Sequence, residues 1–285
     1  MIRCREIGLA DLGAIADLLT RGFPIRSRDY WIDGLRRLSV RETPDSFPRF
    51  GYMLEHERTP VGALLLIYTA RNDGGCASIR CNLSSWYVEP AFRGYAPMLT
   101  KVAQRHKDVT YVNISPAERT WRAIEAQGFR RYCRGLFFSF PALSRPVRDM
   151  RVEVVRQDAQ AVDGLSEADV ALLARHAAYG CLSLVCRAAD GRVVPFVLQS
   201  MRIKNRIAPP VMQLIYCRDV ADYVACAGAI GRFLLWRGRI SVALDANGRM
   251  KELVGLYRER RKYFMGPQCP RLADLSDTEL VIYGP

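Results

Sequence analysis

The chain has 285 residues, more than one average domain needs, and 49% of them are hydrophobic, so disorder is excluded and a sizeable buried core is expected. Lys and Arg number 42 against 29 Asp and Glu, a formal net charge of +13 that suits a polyanionic partner or a phosphorylated ligand, although no nucleic-acid-binding motif accompanies it. No apolar run approaches the ~20 residues of a membrane span, the N-terminus has no apolar signal region, and the nine cysteines and three histidines stand at no metal-ligand spacing, so a reduced, cytoplasmic protein without metal, membrane or nucleic-acid partner is expected.

In chain order, the pattern predicts a short strand at 2–6, then a helix capped by Asp11 that carries Leu12, Ile15, Leu18 and Leu19 on one face. A hairpin follows, with strands at 51–55 and 61–69. Next come a strand at 78–88, a helix at 97–107, a strand at 109–114, a helix at 118–127 and a strand at 135–140. The segment 140–149 holds two prolines and no helical period and reads as a linker.

The second half repeats this order. A strand is predicted at 151–155, then a helix capped by Ser166, where Ser166-Glu167-Ala168-Asp169 approaches a capping box. Strands at 181–187 and 193–201 flank an Asp190-Gly191 turn. Then follow a strand at 211–217, a helix at 220–236, a strand at 239–245, a helix at 249–261 and a strand at 278–283. The basic cluster Arg258, Arg260, Arg261 and Lys262 reads as the solvated end of that last helix. The string from Phe129 to Gly135 also resembles the one from Arg260 to Gly266. A repeat of about 140 residues is too long for a solenoid. It predicts two α/β domains of one fold, at 1–140 and 151–285, joined by a linker at 141–150 and acting as a monomeric pseudo-dimer or a homodimer.

The segment 82–99 carries the chemistry. A β-rich run ends at Val88, Pro90 blocks its extension, and a helix begins near Pro97. Gly94 lies in the intervening loop and Arg93 adds a positive charge there. A strand that delivers a loop onto a helix N-terminus presents unpaired amides and the positive end of a helix dipole, which together form an anion site.

The run Val88-Glu89-Pro90-Ala91-Phe92-Arg93-Gly94-Tyr95-Ala96 between a strand and a helix resembles the acyl-coenzyme A pyrophosphate loop of the GNAT superfamily of N-acyltransferases. Gly128-Phe129 is similar to the pair that closes the family's later helix. The resemblance in element order covers about residues 1–140 and the specific motif about ten. It implies a mixed, mostly antiparallel central sheet flanked by helices in each domain, and a gap where two central strands splay apart. Pantetheine would pair with the main chain of Trp86, Tyr87 and Val88, with Asn113 across the gap. The pyrophosphate would sit on Arg93 and the amides of Gly94, Tyr95, Ala96 and Met98. The implied reaction is transfer of an acyl group, most simply acetyl, from acyl-coenzyme A to a small-molecule or peptide amine by direct attack on the thioester.

Several positions depart from the family pattern. Met98 and Pro97 replace small, amide-bearing residues in the loop, Ile124 stands where a tyrosine acid is frequent, and Ala117 where an asparagine is frequent. Ser85, Ser115 and Tyr111 are the candidates for proton handling, with Glu55 and Glu89 the acids near the expected site. The corresponding loop in the second half has no glycine and carries Asp219 and Asp222, which would repel a pyrophosphate. The second domain therefore reads as a degenerate copy, and a single coenzyme A site in the first domain is expected. The alternative reading is a non-catalytic protein of the same fold that binds acyl-coenzyme A or another anionic ligand.

Overall fold

The computed structural model describes residues 1–73, 76–145, 149–201 and 211–284. The first half of the chain gives β1 (Ile2–Glu6), α1 (Leu12–Gly22), α2 (Arg28–Val40), β2 (Gly51–His56), β3 (Thr59–Asp73), β4 (Cys76–Val88), α3 (Ala96–Ala103), β5 (Val109–Asn113), α4 (Trp121–Ala126) and β6 (Arg130–Ser139). The second gives β7 (Arg151–Val155), α5 (Glu167–Ala178), β8 (Leu182–Arg187), β9 (Val193–Met201), β10 (Val211–Cys217), α6 (Val220–Leu235), β11 (Ser241–Ala246), β12 (Gly255–Met265) and α7 (Glu279–Ile282).

These elements form two compact units. Unit 1 comprises Met1–Arg130, Tyr263–Cys269 and Asp277–Tyr283, and unit 2 comprises Arg131–Lys262 and Pro270–Ser276. Each is a mixed, mostly antiparallel sheet flanked by helices. In unit 1 the strands run β1-β2-β3-β4-β5, antiparallel except for the β4–β5 pair, and the end of β12 pairs antiparallel with β5 through Tyr263↔Asn113 and Met265↔Tyr111. In unit 2 the order is β7-β8-β9-β10-β11-β6, again with one parallel pair, β10–β11. The two topologies are the same, but β6 of the first half joins the sheet of unit 2, while the end of β12, Tyr263–Met265, joins that of unit 1. Strand pairing, rather than position along the chain, decides which unit 131–139 and 263–265 join.

Burial explains the strand patterns of unit 1. Along β3, Ala63, Leu65 and Ile67 face a core with Ile15, Leu18 and Leu19 of α1 and Trp31, Leu35 and Leu38 of α2. The alternate residues Leu64, Leu66 and Tyr68 face a second core with Leu99 and Ala103 of α3 and Ile124 and Phe129 beyond it. A strand covered on both faces needs a continuous apolar run, which is what 61–68 presents. In unit 2, Tyr223, Cys226, Ala227, Ile230 and Leu234 of α6 pack on Leu184, Phe196, Leu198, Leu214, Val242 and Leu244.

Several expectations are corrected. Residues 255–261, expected in a helix, belong to strand β12, and 279–282, expected in a strand, form α7. The basic cluster therefore lies on a strand, and Lys262 is buried with its Nζ 3.4 Å from the Asp245 carboxylate. The resemblance between 129–135 and 260–266 does not survive the register. Gly135 pairs with Ala246 at the end of β11, whereas Tyr263, three residues before Gly266, pairs with Asn113 at the end of β5. Asp11 does not cap α1 with its side chain; its carboxylate instead accepts from the Gly8 amide (2.8 Å) and from Arg5 (2.7 Å). Ser166 does cap α5, accepting from the Asp169 amide.

Part of the expected linker, 146–148, lies outside the described residues. Pro141–Leu143 makes a short helical turn against α6. A Cβ at Gly231 would lie 2.1 Å from the Ala142 nitrogen and one at Gly228 2.5 Å from the Arg145 carbonyl oxygen. Those glycines let the chain backbone lie directly on the helix.

Candidate active site

The parallel β4–β5 ladder of unit 1 runs from Ile79↔Val109 to Asn82↔Val112 and stops, while β4 continues to Val88. Over that stretch β4 keeps its other partner, β3, through Ser84↔Leu65, Tyr87↔Ala63 and Val88↔Gly62. The register slips between Ser84 and Tyr87, where two residues of β4 oppose one of β3. Ser85 occupies this bulge with a φ of 47°, in the left-handed region that a serine adopts only at a cost. The slip turns β4 away from β5, and the edge of β4 from Ser84 to Val88 on the β5 side has no strand against it among the described residues.

Of the expected pantetheine contacts, Trp86 is exposed, Tyr87 half-buried and Val88 buried. The Tyr87 side chain packs toward α1, with its ring centroid 6.2 Å from that of Phe23. Their main chains lie along the open edge. Asn113, half-buried, ends β5 opposite.

The loop after β4 is pinned at its start by an ion pair between Arg21 and Glu89 (2.8 Å). Phe92 turns inward, its ring 5.3 Å from that of His56. Arg93, Gly94, Tyr95 and Met98 are exposed, and a Cβ at Gly94 would meet nothing within 4 Å, so the backbone there is open to a ligand. Gly94 has no positive φ, so open space rather than conformational freedom is what the glycine provides. The amides differ from expectation. Pro90–Tyr95 forms a tight 3-10 turn leading into α3, the Phe92 amide donates to the Glu89 carbonyl (2.9 Å), and the Ala96 amide donates to the Arg93 carbonyl. A 3-10 turn uses its own amides three residues back. Arg93 and the first turn of α3, where no side chain caps the helix, are left to meet an anion.

The proton-handling candidates separate. Ser85 lies on the open edge, its Oγ 3.0 Å from that of Ser84. Ser115, exposed just beyond β5, donates to Glu279 Oε1. Tyr111 is buried in the core, its hydroxyl accepts from the His106 amide (3.3 Å), and burial pushes its pKa up to about 12, so its hydroxyl is directed away from the opening. Glu55 is buried between Arg3 and Arg5 on the β1–β2 ladder. Ile124 is core. The amides of Gly128 and Phe129 donate to the carbonyls of Glu125 and Ile124, and Gly128 has a φ of 90°, so Ile124 and Phe129 form the apolar contact that closes α4.

The segment Asp277–Tyr283, expected to form a strand, has a place beside the site that sequence reasoning missed. It belongs to unit 1 and reaches the point where β4 and β5 part. The Glu279 amide donates to Asn82 Oδ1 (2.8 Å), while Asn82 Nδ2 donates to the Val112 carbonyl (3.3 Å). Arg37 holds the Ile282 carbonyl (3.1 Å), and the Tyr283 ring packs edge-on against Trp31 at 6.0 Å. The Tyr283 phenol is buried near Ser84 without a hydrogen bond of regular geometry, and burial holds its pKa far above the usual value. No local signal in 277–283 announces these contacts, because their partners lie about two hundred residues away in sequence.

The matching edge in unit 2 is closed. The β10–β11 ladder ends at Gln213↔Ala243, and beyond it the Leu275 amide donates to the Ile215 carbonyl (2.7 Å) and the Cys217 amide to the Ala273 carbonyl (3.1 Å). Asp219, expected to repel a phosphate, caps α6 by accepting from the Ala221 amide (2.8 Å). Among the described residues no cluster of three His, Cys, Asp or Glu side chains is placed to hold a metal, and no helix is long and apolar enough to cross a membrane.

No protein-family model and no curated protein matches the sequence. Solved structures do match the fold. A probable N-acyltransferase from Enterococcus faecalis aligns with a TM-score of 0.58 at 13% identity, over 97% of this chain and 74% of that one. A GCN5-related N-acetyltransferase from Anabaena variabilis gives 0.59 at 12%, over 93% and 72%. One from Kribbella flavida gives 0.59 at 14%, over 93% and 70%. The chain thus shares the fold of these GCN5-related N-acetyltransferase structures, and its two units have the same strand topology.

Proposed function

We propose that unit 1 binds acyl-coenzyme A and transfers its acyl group to an amine. The observation that carries this reading is the contrast between the two parted strand pairs. Among the described residues the β4 edge is open and leads to a loop with Arg93 and an uncrowded Gly94, whereas the β10 edge is filled by the chain's own 273–275. Pantetheine would lie along Trp86–Val88 and face Asn113. The diphosphate would meet Arg93 and the backbone from Gly94 through Tyr95 and Ala96 to Met98, the Ala96 amide becoming available once it exchanges the Arg93 carbonyl for the ligand. Ser84 and Ser85, joined at the bulge, would order a water at the acyl end. Acetyl is the simplest acyl group, and the acceptor is a small-molecule or peptide amine.

The experiment is calorimetric titration with coenzyme A, expected to show one site per chain, followed by thiol release from acetyl-coenzyme A in the presence of amines. A second reading, a binding protein without turnover, is favoured by Ile124 and Tyr111, both buried in the core. Binding without thiol release would select it.

A further inference from the structure

Helix α6 of unit 2 ends by displaying its last residues rather than burying them. Its inner face, Tyr223, Cys226, Ala227, Ile230 and Leu234, lies in the core. The helix then closes with two bonds: the Gly238 amide donates to the Leu235 carbonyl (2.9 Å) and the Arg239 amide to the Leu234 carbonyl (3.0 Å). Gly238 has a φ of 70°, the left-handed conformation that this paired closure requires just past the last turn. The closure fixes Leu235, Trp236 and Arg237 on the outside. Trp236 is 90% exposed, so its indole contributes little to the fold of unit 2.

Further exposed apolar residues stand at the same end of unit 2, around Phe140. Leu143 follows in a short turn closed by its amide on the Phe140 carbonyl (3.0 Å), and the Val254 carbonyl accepts from the Phe140 amide (2.8 Å). Ile240 leads into β11, where Val242 pairs with Ser139. Residues 141–142 lie on α6 at Gly231, one turn before Leu235. Leu143, Leu235, Ile240 and Val254 are all exposed. Cations accompany them. From Tyr223 to Leu244 the sequence carries Arg232, Arg237 and Arg239 and no acid. Arg237 is exposed, its guanidinium 3.7 Å over the Phe233 ring with one nitrogen on the Phe233 carbonyl (3.1 Å), and Arg232 and Arg239 are half-buried. The acid nearest in sequence to any of these apolar residues is Glu252, exposed two residues before Val254.

We propose that this end of unit 2 docks on an anionic lipid surface, with Trp236 and Leu235 entering the headgroup region and the arginines meeting lipid phosphates. The combination of aliphatic side chains and cations selects this partner. A second copy of the same surface would bring like charges together. A nucleic acid would satisfy the arginines but give Leu143, Leu235, Ile240 and Val254 no apolar cover. A membrane interface meets both demands: indoles sit at headgroup level, aliphatic side chains reach the acyl boundary, and anionic lipids attract arginine. A peripheral contact of this kind needs no spanning segment, and it is independent of coenzyme A binding by unit 1.

The test is co-sedimentation of the full chain with vesicles of phosphatidylcholine alone and of phosphatidylcholine with about one-third phosphatidylglycerol, at low and high salt. Wild type is expected to bind the mixed vesicles at least about tenfold more tightly than the neutral ones, and to weaken at high salt. Trp236→Ala is expected to weaken binding about tenfold, and the double variant Arg237→Gln, Arg239→Gln about tenfold or more. Circular dichroism checks that each variant is folded; if Trp236→Ala is not, Leu143→Ser, expected to weaken binding about threefold, decides in its place. No binding of wild type to the mixed vesicles, equal binding to both kinds, or undiminished binding by the deciding variant overturns the proposal. So does tighter binding of a single-stranded oligonucleotide than of mixed vesicles at matched salt, lost in the arginine variant, which would assign the surface to nucleic acid. A mass of two chains by light scattering that falls to one in Trp236→Ala, without vesicle binding, would assign it to a second copy and overturn the proposal as well.

Discussion

The amide of Leu275 donates to the carbonyl of Ile215 over 2.7 Å, closing the edge of β10 that corresponds to the open edge of β4. The chain thus holds the same strand arrangement twice, once sealed by its own backbone and once, among the described residues, left open. The closure is covalently tethered and competes with any extended ligand for the same backbone groups. On the proposed function one coenzyme A per chain is expected, for a reason different from the loop carboxylates, since Asp219 is engaged as a helix cap.

Asn82→Ala should destabilise the protein and loosen its C-terminal segment. The substitution removes the acceptor of the Glu279 amide and the donor to the Val112 carbonyl in a buried setting. The expected cost is about 1–3 kcal/mol. Urea unfolding measures it, and hydrogen exchange should show faster exchange at Glu279 than in wild type. Unchanged exchange there would argue against the anchor.

Gly231→Ala and Gly94→Ala should behave oppositely. At Gly231 the new Cβ meets backbone at 2.1 Å, which only a shift of α6 or of 141–142 relieves, at a cost of about 1–3 kcal/mol. At Gly94 nothing lies within 4 Å and the φ is not positive, so alanine is expected to change stability by less than about 1 kcal/mol. Denaturant midpoints of the two variants check the pair.

Glu55 should contribute to acid sensitivity. Hydrogen bonds from Arg5 and then Arg3 hold its carboxyl below the usual glutamate range. With a depressed folded-state pKa, its contribution is fully present above the unfolded value of about 4.3. It is lost as the pH falls through the lower folded value. Glu55→Gln should therefore narrow the difference in urea midpoint between pH 6 and pH 3. An undiminished difference would place the acid sensitivity elsewhere.

Much of the fold was legible where local chemistry and burial agree. The run Val61–Tyr68 is apolar because both its faces are covered, Asp190-Gly191 turns between β8 and β9, Ser166 caps α5, and Gly128-Phe129 ends α4. Helix α2 was missed although Ser27 caps it and Trp31, Leu35 and Leu38 lie on one face, because the charged residues between them obscure the period. Strand β12 was read as a helix because its sequence is rich in residues that suit either state. Its pairing with β5, about 150 residues earlier, decides the outcome. The loop and the strand edge of the candidate site could be located from Val88 to Met98. Ser115 drew attention only as an isolated hydroxyl, and its partner Glu279 could not be seen, since a contact across 164 residues leaves no periodic trace.

The most direct measurement is calorimetric titration of coenzyme A into wild type and Gly94→Glu, with circular dichroism confirming that both are folded. Wild type is expected to bind one equivalent and Gly94→Glu none, because the new carboxylate would occupy the open space over the loop and face the diphosphate at short range. A stoichiometry of two, or undiminished binding by Gly94→Glu, would contradict the placement of the cofactor on the loop between β4 and α3.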